Sequence, residues 1–254
     1  MSDDVLYELD DAVAWVTINR PQARNALNAA VREGLLAAFV RFNRDTSARV
    51  LVLTGAGDEA FCSGGDLKEM AQTELRVPPV DYVPQPGRTV QVDKPIVAAV
   101  NGVAYGGGFL LTQSCDLCVA ADHARFGITE ARWGRGAPWA APLPWLIPPR
   151  VAMELLVTAE PIGARRAYEV GLVNHVVAAA ELRTRTQELA LRIAANAPLS
   201  VRAGKAMVRV AAEHTRTRAF REAEALFEPV YLSADALEGP RAFQEKRTPV
   251  WQAE

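Results

Sequence analysis

Two glycine-rich turns and one carboxylate are the features of this sequence whose residue types and spacing can do chemistry. The first turn, Ser63-Gly64-Gly65, runs into Asp66-Leu67-Lys68-Glu69-Met70, which reads as a helix start. The second, Gly106-Gly107-Gly108, follows Val103-Ala104-Tyr105 and leads into a helix beginning near Phe109. A helix N-terminus presents backbone N–H groups that lack an intrahelical acceptor, and glycine lets a ligand come close to them. Two such turns facing one pocket make an oxyanion hole, a pair of donors aimed at an oxygen on which negative charge develops. Taken singly, each turn reads as a plain strand-to-helix connection with close packing, and it is their joint occurrence that favours the hole. Glu130, in Phe126-Gly127-Ile128-Thr129-Glu130, supplies a general acid or base; its other reading is a helix-start carboxylate satisfied by backbone N–H groups.

Other candidate motifs carry less. Gly55-Ala56-Gly57-Asp58-Glu59-Ala60 formally fits a dinucleotide fingerprint, but a real one opens directly into a helix, and here Phe61-Cys62-Ser63-Gly64-Gly65 would break it. Neither glycine turn ends in the Gly-Lys-Ser/Thr of a P-loop, and Ser63 lacks the flanking glycines of a nucleophile elbow. Cys115-Asp116-Leu117-Cys118 resembles half of a zinc or redox motif, yet it has no second pair, and His123, His175 and His214 are scattered. It reads as core packing at the start of an apolar strand, and no metal is expected.

The elements that must position these residues follow from hydrophobic spacing. Residues 13–18 read as a strand, and Asn28 can cap a helix whose Val31, Leu35, Phe39 and Phe42 share a face. Val50-Leu51-Val52-Leu53-Thr54 and Ile96-Val97-Ala98-Ala99-Val100 are continuous apolar runs, the signature of parallel strands buried on both faces. Residues 72–88 contain Pro78, Pro79, Pro84, Pro86 and Gly87, so no regular element is expected there. That stretch reads as a mobile loop, either a lid or an inert surface excursion. After Pro148-Pro149 the pattern turns helical over residues 164–170, 181–196, 199–213 and 219–232, with a last helix carrying Phe243 and Lys246. His175 falls in a strand-like run and His214 on a basic helical face.

Bulk properties exclude whole classes of function. With 254 residues, half of them hydrophobic, the chain can bury a large core as one domain with an appended subdomain. A formal net charge of -2 argues against a nucleic-acid partner, which needs clustered Lys and Arg. No apolar stretch reaches the roughly 18 residues of a membrane span, and Met1-Ser2-Asp3-Asp4 is acidic rather than basic. Three cysteines fit a reducing compartment rather than a disulfide framework, so a cytoplasmic protein without membrane association is expected.

Several blocks, in order, resemble the crotonase (enoyl-CoA hydratase/isomerase) superfamily over nearly the whole chain. They are Asn19-Arg20-Pro21 with Asn25-Ala26-Leu27-Asn28; Ala60-Phe61-Cys62-Ser63-Gly64-Gly65 with Asp66-Leu67-Lys68-Glu69-Met70; and Pro95-Ile96-Val97-Ala98-Ala99-Val100-Asn101-Gly102 with the glycine triplet. Cys115-Asp116, Phe126-Gly127 with Glu130, residues 167–174 and residues 238–247 continue the series. The resemblance implies an α/β fold, a crotonase-like spiral of ββα repeats. Residues 1–195 would form the spiral core with the coenzyme A and active sites, and residues 196–254 a C-terminal helical trimerisation region. The trimers of such proteins often pair into hexamers. The substrate would be an acyl-CoA thioester, with no cofactor beyond the coenzyme A it carries. The backbone N–H groups of Gly65 and Gly107 would hold the thioester oxygen. Coenzyme A would lie along Arg24, Ala26, Ser63, Gly64, Asp66, Leu67 and Lys68, with Lys68 and Arg24 as phosphate-binding cations and Phe243 and Lys246 supplied by a neighbouring subunit; each lysine reads equally well as a solvated surface charge.

One position departs from that pattern. Hydratases of the superfamily hold a water between two carboxylates, and the matching positions here are Leu110 and Glu130. Leucine neither accepts nor donates a proton, so the two-carboxylate route is closed in its usual form. The single acid resembles the arrangement of the isomerases, in which one carboxylate moves a proton between two carbons of an enolate. Burial among Phe126, Trp133 and Trp139 would raise its pKa, whereas Arg132 or Arg135 set against it would lower it. Those arginines have a second reading, as partners of a substrate carboxylate. Trp133 and Trp139 are expected to narrow the acyl pocket. Enoyl-CoA isomerisation is therefore the expected activity, as in fatty-acid metabolism, with a one-carboxylate hydratase, a decarboxylase or a weakly active acyl-CoA-binding paralogue as alternatives.

Overall fold

In the computed structural model, which describes residues 3–253, the apolar runs form the centre of a large sheet. Met1 and Ser2 of the acidic start lie outside the described residues, as does Glu254. A hairpin of β1 (Val5–Asp10) and β2 (Val13–Ile18) leads into α1 (Ala29–Arg44). Then comes a repeated step of two strands and a helix. It is made first by β3 (Val50–Gly55), β4 (Ala60–Cys62) and α2 (Leu67–Gln72), and again by β5 (Ile96–Val100), β6 (Val103–Tyr105) and α3 (Gly107–Ser114). A third pass uses β7 (Leu117–Ala121) and β8 (Arg125–Gly127), followed by α4 (Leu143–Leu146) and α5 (Pro149–Thr158). β9 (Ile162–Gly163), α6 (Ala164–Glu169) and β10 (His175–Val177) complete the sheets. The remaining helices are α7 (Leu182–Ala194), α8 (Pro198–Glu213), α9 (Arg216–Leu232) and α10 (Asp235–Glu245).

Each pass sends its first strand to a six-stranded sheet of order β1-β2-β3-β5-β7-β10 and its second to a four-stranded sheet of order β4-β6-β8-β9. This is the ββα spiral. From β2 to β10 the large sheet is parallel, and only β1 runs against its neighbour. Both faces are covered, which explains the unbroken apolar runs. Val16, Leu51, Leu53, Ile96 and Ala98 point to the core shared with α1 and α3, while Trp15, Val50, Val52, Val97 and Ala99 pack with Leu182, Ala190 and Ala194 of α7. Each fully buried Val, Leu or Ile contributes about 1.5–3 kcal/mol, an upper bound set by the unfolded reference. The small sheet has strands of two or three residues, too short for a period to register in the sequence.

Asn28 does cap α1, its side chain accepting from the Val31 amide. The formal dinucleotide motif leads into β4 rather than a helix, as a plain loop would. Residues 73–95 contain no helix or named strand, as expected from the prolines of residues 72–88, but part of the stretch is not a surface excursion. Val83, Pro84, Gln85 and Pro86 are buried, and the Gln85 amide donates to the Val80 and Val83 carbonyls. The proline-rich sequence excludes regular hydrogen bonding without excluding burial. His214 follows the end of α8 instead of lying on its face, and Lys246 follows α10 with a left-handed φ of 54°. The C-terminal helices are tied to the sheet through Lys205, whose Nζ lies 2.7 Å from the Asp116 carboxylate. The Trp251 indole also donates to the Ala195 carbonyl at 2.8 Å. Among the described residues no helix is long and apolar enough to cross a membrane.

The segment before α1 is fastened to the β3–β4 connection by Asn25, which is buried at a left-handed φ of 55° that asparagine tolerates better than most residues. Its Oδ1 accepts from the Arg20 amide at 2.9 Å, and its Nδ2 donates to the Ala56 and Ala60 carbonyls at 3.0 and 2.7 Å. Asn25→Ala leaves these groups unpaired in the core. Urea denaturation is expected to show a loss of about 2–4 kcal/mol of unfolding free energy; a change within about 0.5 kcal/mol would refute the role.

Candidate active site

β4 and β6 are parallel neighbours, so the two glycine turns that follow them leave the small sheet side by side. A Cβ placed on Gly64 would lie 3.0 Å from the Tyr105 carbonyl oxygen and 3.5 Å from the Gly107 nitrogen. One on Gly106 would lie 3.7 Å from the Gly64 Cα. Both residues have positive φ, +105° and +51°, so close approach and backbone conformation each require glycine there. Around Gly65 the neighbouring groups are engaged: the Leu27 amide donates to Gly64 at 2.8 Å, and the Asp66 amide donates to Leu27 at 3.3 Å. Gly107 is the first residue of α3 and has no intrahelical acceptor. Among the described residues neither the Gly65 nor the Gly107 N–H has a hydrogen-bond acceptor.

Glu130 comes to the same place from the third pass. The Gly106 amide donates to Gly127 at 3.0 Å, joining the end of β8 to the second turn, and Glu130 opens the short 3-10 turn just beyond. Its Oε1 would lie 3.1 Å from a Cβ on Gly106, while its Oε2 is buried without a hydrogen-bond partner among the described residues. Burial raises the pKa of this carboxyl group, outweighing the backbone N–H groups of Glu130 and Thr129 and the Trp139 indole, which favour the anion. Leu110 is buried one turn into α3, and its amide donates to the Gly106 carbonyl at 2.9 Å. Its side chain is packed in the main hydrophobic core and brings no charge to this helix.

The surroundings of Glu130 differ from expectation in two respects. Trp133 is 62% exposed and does not bury the carboxylate, because the 3-10 turn ends at Gly134 and folds back through the Arg135 amide, which donates to the Glu130 carbonyl at 3.0 Å. The aromatic wall comes instead from Trp139, edge-on to Phe109 at 6.3 Å between centroids, and Phe109 in turn meets Phe126 at 5.9 Å. Neither arginine pairs with Glu130. Arg132 bonds Glu160 at 2.5 Å, and the Arg135 guanidinium donates to the Leu75 carbonyl at 2.7 Å.

The expected coenzyme A residues divide into those the fold gathers at the turns and those it leaves in solvent. The Ser63 amide donates to the Arg24 carbonyl at 3.0 Å, setting Arg24, Asn25 and Ala26 beside Ser63, Gly64 and Gly65. The Arg24 guanidinium is exposed and lies 3.6 Å from Glu59, so it is an ion-paired cation rather than a free one. Asp66 is already engaged, capping α2 through the Lys68 and Glu69 amides and pairing with Arg20 at 3.1 Å. Leu67 and Lys68 are exposed on the first turn of α2. Phe243, 87% exposed, and Lys246 stand in solvent at the end of α10. Sequence reasoning missed Met70, whose Cε lies 2.3 Å from the position of a Cβ on Gly65, and the Arg32–Tyr82 pair beyond it. Met70 stands in the block that follows the first turn but carries no chemistry to single it out, and the Arg32–Tyr82 contact arises only when the 73–95 loop folds back.

The model of the family described as enoyl-CoA hydratase/isomerase matches residues 8–254. A carnitinyl-CoA dehydratase of Escherichia coli (strain K12) is 37% identical over 262 residues, covering 99% of each chain. A probable enoyl-CoA hydratase/isomerase from Mycobacterium abscessus superposes with a TM-score of 0.89 at 41% identity over 100% of both chains. An enoyl-CoA hydratase from Mycobacterium tuberculosis H37Rv gives 0.91 at 37% identity over 100% of both chains.

The raised pKa of Glu130 makes a stability prediction. The folded state holds this proton more tightly than the unfolded state does. Below the ordinary carboxylate range the group is neutral in both states; as pH rises toward its folded value a penalty builds, then levels off. Glu130→Gln is therefore expected to gain stability relative to the parent as pH goes from acidic to neutral, read as the difference in urea midpoints. A difference that does not grow with pH would show that the carboxylate is not held in an unfavourable setting.

Proposed function

The chain belongs to the enoyl-CoA hydratase/isomerase family, and from that premise we propose that it isomerises enoyl-CoA thioesters, with Glu130 as the only carboxylate moving protons. In this reading the thioester oxygen accepts from the Gly65 and Gly107 amides. Glu130 removes a proton from the carbon next to the thioester of a 3-enoyl-CoA. The electron pair spreads through the double bond and onto the oxygen, and Glu130 returns the proton to the far carbon, leaving a 2-enoyl-CoA. Each preorganised amide of this kind is worth about 3–4 kcal/mol of transition-state stabilisation. Neither amide depends on a side chain, so Leu110 leaves the pair intact.

The observation carrying the proposal is the Glu130 carboxylate itself: one oxygen beside Gly106 at the second turn, the other buried with no partner among the described residues. Raising the pKa of a carboxyl group makes its anion a stronger base, which suits a group that must take a proton from carbon. Coenzyme A would run past Arg24 and Ala26 and over Ser63, Asp66 and Lys68. Exposed Phe220, Leu232, Leu237 and Phe243 on α9 and α10 support association through the C-terminal helices into a trimer or a pair of trimers. Phe243 and Lys246 would then reach a neighbour's site.

A second reading is elimination or addition of water, favoured by the relative named carnitinyl-CoA dehydratase. A panel of 3-enoyl-, 2-enoyl- and 3-hydroxyacyl-CoA thioesters followed by mass spectrometry separates the two. Binding with no turnover of any member would support the acyl-CoA-binding paralogue instead.

In the isomerase assay, Glu130→Gln is expected to lower kcat by roughly 10³-fold with acyl-CoA affinity little changed; retained turnover would remove Glu130 from the mechanism. Leu110→Glu is expected to create or raise hydration of 2-enoyl-CoA, and no gain would mean that more than the second carboxylate is missing. Sedimentation of the purified protein is expected to give a mass of three or six chains, and a monomer would remove the proposed role of Phe243.

A further inference from the structure

Arg32 takes no part in that chemistry, yet it holds Leu27, which touches both glycine turns. It lies on the first turn of α1, its side chain largely buried. Its Nη1 is 3.0 Å from the Leu27 carbonyl oxygen, 2.7 Å from Glu69 Oε2 and 3.0 Å from the Tyr82 hydroxyl. The guanidinium carbon also sits over the Tyr82 ring, 4.0 Å from its centre, adding a cation–π contact to the polar ones. The other oxygen of Glu69 accepts from the Ala29 amide at 2.8 Å, anchoring this group to the start of α1.

Leu27 and Tyr82 are what make this cluster more than a surface ion pair. The Leu27 backbone brackets Gly65, donating to the residue before it and accepting from the residue after it. The Leu27 side chain turns to the other glycine: its Cδ1 is 2.8 Å from where a Cβ on Gly107 would stand. Val83, next to Tyr82, brings its Cγ2 to 3.7 Å from that same point. One guanidinium thus holds the residue that touches both turns and the loop segment that backs the second turn. A buried ion pair is weak evidence for stability on its own, since well-packed apolar residues often do as well. What this pair supplies is a set of distances.

We propose that Arg32 is a positioning residue for the reaction, fixing the spacing of the Gly65 and Gly107 amides by clamping the Leu27 carbonyl to the Tyr82 ring. The inference rests on the role proposed above for the two amides. Displacing either by an ångström would cost up to about 10²-fold in rate without removing any group that touches the substrate.

The test uses the full-length protein and a 2,4-dienoyl-CoA, whose absorption moves to the red when its thioester carbonyl is polarised. For Arg32→Gln the expected result is loss of most of that red shift and a fall in kcat of roughly tenfold or more, with dissociation constant and KM changed less than about threefold. Arg32→Lys keeps the charge opposite Glu69 but cannot span the same contacts, and it should not restore the shift. Tyr82→Phe keeps the ring and loses one polar contact, so it should fall between parent and Arg32→Gln. A full red shift and parental kcat in Arg32→Gln would overturn the proposal. So would equal losses of affinity and shift in Arg32→Gln with Tyr82→Phe identical to the parent, the pattern of a merely structural arginine. The spectrum needs no turnover: a red shift in a parent protein that moves no double bond would end the isomerase reading while Arg32 is still judged by its own variants. No shift in the parent would end both.

Discussion

Two chain turns can bring backbone against backbone only where no side chain stands at the point of approach, and the arrangement of this site follows from that steric requirement. Gly64 and Gly106 face each other at the ends of β4 and β6, each with a backbone conformation that side chains resist. The parallel pairing of these two short strands brings the turns together, and the long parallel sheet sets where the short strands begin. Leu27 occupies the space that remains, paired by backbone to one turn and packed by side chain on the other. A spiral that returns the chain to the same edge on every pass is well suited to this. Consecutive turns are stacked by sheet register rather than by loop conformation.

The electrostatics of Glu130 follow from what is left out. Arg132 and Arg135 are adjacent in sequence but engaged elsewhere, one with Glu160 and one with the Leu75 carbonyl. No arginine therefore neutralises the carboxylate, and burial dominates its titration. Leu110, buried on the adjoining helix, is apolar and adds no second negative charge beside the turns. The group is kept in a setting that disfavours its anion.

The large sheet was legible because burial on both faces leaves an unmistakable trace: Val50 to Leu53 and Ile96 to Val100 are apolar without a break. The Asn28 cap and the glycine turns were legible for a related reason, since few residue types satisfy those backbone demands. The short sheet was not, because two or three residues cannot display a period. Trp133 and Trp139 show the same limit at the site. Both are tryptophans in one basic stretch, yet one is exposed and the other packs edge-on to Phe109. The 73–95 loop misled in the opposite direction, its prolines suggesting an excursion although Val83 to Pro86 are buried.

By itself the sequence determined which local conformations were available: where strands run unbroken, where a helix is capped, where only glycine can turn, and that position 110 holds no acid. These are consequences of backbone sterics and hydrophobic periodicity, which act over a few residues. Only the tertiary structure decided which of those pieces meet. The proximity of Glu130 to Gly106, the engagement of Arg132 by Glu160, and the grip of Arg32 on Glu69 and Tyr82 join residues separated by tens of positions. Such contacts are selected by the packing of the whole chain, and no short-range pattern encodes them.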